Sequence, residues 1–196
     1  VVVYEGDTIL HVGRDYDEPV EREIDARGNL VIPGLVNTHV HIGAHAGDRM
    51  ILDAGRREMF RSGFMNYCTA KGISGPTIGA YEVPEATIRY SLASLARFGA
   101  TTIVEMGGDF SGDMGALLRL AGELGVRLYT CPGFSSAHHY YDQGGRHHLH
   151  WDEGKGLAGL DEAAEFIAEH DGDHDGLFRG ILVPFEFHLC SQELLR

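Results

Sequence analysis

Two histidines one residue apart, His39 and His41, close the stretch Val31-Ile32-Pro33-Gly34-Leu35-Val36-Asn37-Thr38-His39-Val40-His41. Alternate side chains of a strand share a face, so a strand ending here projects both imidazoles to one side. Two imidazoles converging at a strand end are the start of a divalent metal site, because a catalytic zinc takes about three protein ligands and a water. Spacing alone is weak evidence. With 12 histidines in 196 residues, roughly 0.7 His-x-His pairs arise by chance. A second pair, His148 and His150, lies in a polar, glycine-rich stretch and reads as such an accident. Position singles out His39 and His41: Pro33-Gly34 marks a turn, an apolar run follows, and the histidines fall where it stops. The residues leave two readings open, metal ligands or two ordinary half-buried histidines.

The elements around the pair follow from periodicity. Residues 1–13 and 20–29 read as β-hairpin material around a polar turn, and 30–37 as a strand. Residues 48–64 read as helical and 71–79 as a glycine- and proline-rich loop. In 84–98, Ala86, Ile88, Leu92, Leu95, Ala96 and Phe98 recur at helical spacing; Pro84 stands in the first turn and Gly99 ends the run. Strands are expected at 100–106, 126–131 and 177–187, and helices at 114–124 and 160–170. Residues 132–156 read as a long loop rich in His, Tyr and Gly, and Ser191 as the cap of a last helix. Helices alternating with strands predict a parallel sheet. A doubly wound α/β domain is the structural alternative.

Composition narrows the function. Asp and Glu number 29 against 16 Lys and Arg, a net charge of −13. Nucleic-acid surfaces need clustered basic residues, so that class is disfavoured. The expectation is a cytoplasmic protein without nucleic-acid or membrane partners, acting on a small molecule, with homo-oligomerisation left open. No apolar run approaches the ~18 residues of a membrane span. Cys68, Cys131 and Cys190 are odd in number and far apart, which argues against a disulfide framework. Cys131 and Cys190 read as small buried residues rather than nucleophiles.

The stretch Ile24-Asp25-Ala26-Arg27-Gly28-Asn29-Leu30-Val31-Ile32-Pro33-Gly34-Leu35-Val36-Asn37-Thr38-His39-Val40-His41-Ile42 resembles the lead-in to the catalytic barrel of the amidohydrolase superfamily of metal-dependent hydrolases. There, a small β-sandwich strand passes through an Asp-x-x-Gly turn and Pro-Gly-Leu into a first barrel strand ending His-x-His. Val3-Tyr4-Glu5-Gly6-Asp7-Thr8-Ile9-Leu10-His11-Val12-Gly13 is similar to the preceding sandwich hairpin. Pro184-Phe185-Glu186-Phe187-His188-Leu189-Cys190-Ser191-Gln192-Glu193-Leu194-Leu195 is similar to the fourth barrel strand and helix start of the deaminase and chlorotriazine-hydrolase branch.

The resemblance implies an α/β fold: the first half of a (β/α)8 TIM-type barrel over residues 30–196, preceded by strands of a β-sandwich domain over 1–29. It implies one divalent metal held in part by His39 and His41: Zn²⁺ foremost, Fe²⁺ or Mn²⁺ as alternatives. The binuclear variant needs a strand-four lysine, and 184–188 has none. The mononuclear variant draws its remaining ligands and proton shuttles from strands beyond Arg196. Glu105 and Glu186 leave a glutamate-ligand variant open. The implied reaction is attack of a metal-activated water on an sp² carbon, breaking a C–N or C–halogen bond, as in deamination of an aminated heterocycle. Amide, urea or carbamate hydrolysis is the alternative, and a non-catalytic relative another.

Active sites of such barrels lie at the C-terminal ends of the strands. That places Glu105, Phe134, His138, Phe185 and His188 as substrate-lining candidates, and Asn37, two residues before His39, as a partner orienting a ligand. Phe185 stands where several deaminase-like relatives have histidine after the proline; an apolar lining suggests a less polar substrate. The paired histidines at 138–139 and 147–150 read as a polar surface loop, with a substrate-gating loop as the alternative. The roughly 165 residues after the sandwich segment fall short of the ~250 of a barrel, so the chain is expected to be an N-terminal fragment, inactive alone. In that half-barrel Ile103, Leu128 and Val183 are expected to face inward and lack an opposite wall.

Overall fold

Gly6-Asp7 supplies the tight reversal that pairs two β-branched runs. β1 (Val2–Glu5) and β2 (Thr8–Val12) form an antiparallel hairpin with a register shift between Val3 and Tyr4. The computed structural model describes residues 1–43, 85–107, 113–141 and 146–196. The expected helix at 48–64 and loop at 71–79, with Cys68, lie outside the described residues. Residues 1–33 form one compact unit and 34–196 another. In the first unit, 20–29 is not a strand: its backbone joins no ladder and closes a turn instead. Asp25 Oδ1 accepts the Arg27 N–H at 3.0 Å, and Asn29 N–H donates to Ala26 O at 2.9 Å.

The second unit is built on a parallel sheet. Its strands are β3 (Leu35–Val40), β4 (Ala100–Glu105), β5 (Arg127–Thr130) and, after an antiparallel hairpin of β6 (Ala137–Tyr141) and β7 (His147–Trp151), β8 (Phe178–Gly180). Sheet order is β3-β4-β5-β8. The large strands therefore neighbour one another in chain order, without the reversal that a doubly wound sheet makes at its switch point. This topology is compatible with a segment of a TIM-type barrel. Two strand expectations shift. The first strand begins at Leu35 rather than 30, and the fourth is short, continuing only as a parallel bridge between Phe134 and Pro184.

Helices α1 (Glu85–Arg97), α2 (Met114–Glu123) and α3 (Glu153–His170) connect the strands. Asp113 and Asp152 cap α2 and α3, accepting from Ala116 N and Lys155 N. Val40, Ile42, Ile103, Leu128 and Phe178 pack with Ile88 and Leu92 of α1 and Leu117 and Leu120 of α2 in one core cluster. Val183 packs with Cys131, Phe134 and Ala163 in a second. Ile103, Leu128 and Val183 are thus buried on the helical side, not stranded on an inner face. Strand alternation puts Tyr129 and Arg127 opposite Leu128, so the polar and half-buried residues take the other side.

The α3 helix begins seven residues earlier than expected, because Gly154, Gly156 and Gly159 read as loop. Two of them serve packing. A Cβ on Gly156 would lie 2.9 Å from Ser136 Cα, and one on Gly159 would lie 2.9 Å from Phe134 Cβ. Gly156→Ala should therefore lower stability by ~1–3 kcal/mol through overpacking, against the ~1 kcal/mol that alanine's helix propensity would add. A urea midpoint unchanged or raised in that variant would show that the helix can move off Ser136.

Candidate metal centre

The β3 strand delivers His39 and His41 to the C-terminal end of the sheet through an irregularity. Two residues lie between Asn37 and Val40 where one lies between their partners Ile103 and Glu105, so β3 carries one extra residue at Thr38–His39. Bulges of this kind re-aim side chains near sites. Val40 and Ile42 are buried in the helical core, at 4% and 0% exposure. His39 and His41, alternating with them, emerge on the other face. Their ring centroids are 5.2 Å apart with planes at 79°. His39 is exposed and His41 half-buried.

The extra residue changes the role open to Asn37. Its side-chain oxygen accepts the backbone N–H of His39 at 3.1 Å. The expected i, i+2 relation to the His39 ring is broken by the bulge, and the contact shapes the main chain that carries the ring.

Glu105 ends β4 with 0% exposure. One carboxylate oxygen accepts from Ile42 N–H at 3.4 Å; the other accepts from Gly107 N–H at 2.6 Å and Thr130 Oγ1 at 3.2 Å. Met106 N–H donates to Val40 O at 3.0 Å. Glu105 therefore ties together the ends of β3, β4 and β5, directly behind His41. It shares the helical side with its partner Val40, so it is neither an open lining residue nor on the face of the two rings. Gly107 fits this knot because its φ is +63° and a Cβ would lie 2.6 Å from Cys131 O. The nearby Cys131 thiol is pushed up to about 11, first by burial and then by the Glu105 charge. At pH 8 about one part in a thousand would be thiolate, the reactive form. Cys131 in the native protein should resist iodoacetamide; peptide mapping that finds it alkylated as fast as in urea would refute this.

Within 132–156, expected as a loop, residues 137–141 and 147–151 pair as β6 and β7, and 153–156 already belong to α3. Alternation sorts the histidines of the hairpin. His138 pairs with His150, ring centroids 5.0 Å apart, on the exposed side. Partial desolvation, then the charges of His150 and Lys155, lower the His138 pKa from the usual imidazole value. His139 points the other way. Its Nδ1 lies 2.7 Å from His147 Nε2, and its Nε2 lies 3.0 Å from Glu186 Oε2 and 3.2 Å from His188 Nε2. Phe134, at 6% exposure, is core. Phe185 is half-buried and donates its N–H to Phe134 O at 2.8 Å.

The pair His39 and His41 fits part of a divalent site by chemistry and placement: two neutral-capable imidazoles, side by side on the open face of a strand end. Among the described residues, no third His, Cys, Asp or Glu joins them in a ligand-like group. His139 is the residue that sequence reasoning undervalued. Its only sequence signal was the alternation of His138-His139 against His147-His148, which is meaningful once the segment is known to be a hairpin.

No family model matches the chain. It is 27% identical over 199 residues to a protein named 5'-deoxyadenosine deaminase from Methanosarcina barkeri, covering 99% of this chain and 39% of that protein. A protein of the same name from Methanococcoides burtonii is 28% identical over 195 residues, covering 100% and 39%. A protein named imidazolonepropionase from Anaeromyxobacter dehalogenans is 34% identical over 143 residues, covering 65% and 32%. The chain thus spans about two-fifths of the length of the deaminase-named relatives. These low-identity relatives support the amidohydrolase superfamily. Among the described residues, no helix is long and apolar enough to cross a membrane.

Proposed function

We propose that this chain supplies the first metal-binding strand of a metal-dependent hydrolase that breaks a C–N bond in a small molecule. The observation that carries this reading is the placement of His39 and His41: adjacent rings at the C-terminal end of the first strand of a parallel sheet whose order follows the chain. These two side chains would hold a divalent cation, Zn²⁺ foremost. When bound, such an ion supplies Lewis acidity and makes a water nucleophilic near neutral pH. The chain's own contribution is positional. Glu105 fixes the Ile42 and Gly107 amides and so the turn that presents His41. Remaining ligands and proton-transfer groups are expected from a longer protein.

Deamination of an aminated heterocycle is the favoured reaction, supported by the relatives named 5'-deoxyadenosine deaminase. Amide-type C–N hydrolysis is the second reading, supported by the relative named imidazolonepropionase and by Phe185 in place of a polar residue after Pro184. The test is a panel assay on the full-length, metal-loaded protein, with 5'-deoxyadenosine, other aminated heterocycles, an imidazolone, ureas and carbamates. Ammonia release from a heterocycle supports the first reading, and hydrolysis of an amide-like substrate without ammonia from a heterocycle supports the second. A protein holding stoichiometric metal and turning over none of them would overturn both.

A further inference from the structure

We propose that His139, Glu186 and His188 form a divalent-cation site of their own, for an ion of the Zn²⁺ class, distinct from the His39–His41 pair. The three donor atoms make a triangle with edges of 3.0, 3.2 and 3.4 Å. Tetrahedral Zn²⁺ with bonds of ~2.05 Å spaces its ligand atoms about 3.3 Å apart. The triangle therefore has the size of one face of such a site, with the fourth position left for water on the side of His188, whose side chain is 59% exposed.

Hydrogen bonding accounts for the triangle less well. The corners are two imidazole Nε2 atoms and one carboxylate oxygen. Each Nε2 carries at most one proton, so at most two of the three edges can be hydrogen bonds with a proton directed along them. A cation at the centre serves all three lone pairs together. The surroundings also meet what a ligating histidine requires. With Nε2 on a metal, His139 carries its proton on Nδ1 and donates it to His147 Nε2 at 2.7 Å, the outer-shell contact that fixes tautomer and ring orientation. His139 and Glu186 are held at 13% and 21% side-chain exposure. Glu186 adopts φ 55° and ψ 102°, a conformation rare for a residue with a Cβ. It turns the carboxylate back toward the hairpin.

The site is separate from the first by topology. His139 and the Glu186–His188 turn lie past the ends of β5 and β8, whereas His39 and His41 end β3, the opposite edge of the four-stranded sheet. Three strand spacings of ~4.8 Å put the edges roughly 14 Å apart. Two-metal clusters hold their ions ~3.5–4 Å apart, so the two sites would act singly. An ion here would bind the β6-β7 hairpin to the turn after β8, at the end of the sheet where the His39–His41 pair also lies.

The test uses Zn²⁺ and Co²⁺ alone with the full-length protein. Metal per chain is measured after equilibrium dialysis, and Co²⁺ visible absorption reports tetrahedral coordination. His188→Ala removes an exposed side chain, so folding should persist. It is expected to lose one ion per chain, with at least 10-fold weaker binding of that ion, and Glu186→Gln should do the same. His39→Ala/His41→Ala should keep this ion and its Co²⁺ band. Equal stoichiometry and equal affinity in parent, His188→Ala and Glu186→Gln would overturn the proposal. So would a parent that takes up ions only through His39 and His41. Should the double variant fail to fold, the loss of one ion between parent and His188→Ala decides the question by itself.

Discussion

His39→Ala and His41→Ala, each in the full-length protein, should weaken binding of the metal at that pair by more than ~100-fold and abolish hydrolysis. The magnitude follows from comparison: losing an outer-shell partner of a metal ligand costs 10–100-fold, and loss of a ligand itself costs more. Both side chains project away from the helical core, which is filled by Val40 and Ile42 instead. Replacement should therefore leave the thermal midpoint of the metal-free protein nearly unchanged, separating ligand loss from unfolding. Asn37→Ala gives the internal comparison. It removes one acceptor of the His39 N–H, which should cost ~0.5–1.5 kcal/mol of stability and only a small part of the metal affinity. Metal content and turnover at parental levels in both histidine variants would remove the basis for the proposed function.

Glu105→Ala should be the most destabilising single change near the site, by ~3 kcal/mol or more. The carboxylate is fully buried and takes hydrogen bonds from Ile42 N–H, Gly107 N–H and Thr130 Oγ1. Truncation leaves these donors buried without their acceptor, at ~1–3 kcal/mol for each such group, and opens a void. For a unit of this size, 3 kcal/mol corresponds to roughly 6–12 °C in melting temperature. Glu105→Gln should recover only part of that, because its amide nitrogen must face one of the two main-chain N–H groups that the two oxygens now serve. Thr130→Val removes one donor and keeps the shape, so it should cost ~1 kcal/mol. A Glu105→Ala protein melting within a degree of the parent would show that the strand ends are held by other means. A melting point lowered as expected with metal affinity unchanged would limit Glu105 to stability.

Local chemistry carried much of this fold in the sequence itself. Apolar residues at helical spacing between Pro84 and Gly99 give α1, observed at Glu85–Arg97, because amphipathic periodicity and end signals act between residues three or four apart. The same holds for α2 and for the strands at 100–105 and 127–130, and alternation of the two predicted the parallel sheet. The place of His39 and His41 at a strand end was legible for the same reason. What depends on residues far apart was not. The extra residue in β3 exists only relative to its partner β4, and it decides that Asn37 meets the His39 backbone. Glu105 reads from sequence as a strand-end carboxylate facing a site; only packing shows that it turns into the core, to an amide 63 residues away. Glycines in α3 signal a loop by propensity, and only the close approach of Ser136 and Phe134 makes a helix there the better packing. His139, Glu186 and His188 converge across 47 and 49 residues of chain. No local period encodes that meeting, because it is set by where a hairpin folds back over the end of a parallel sheet.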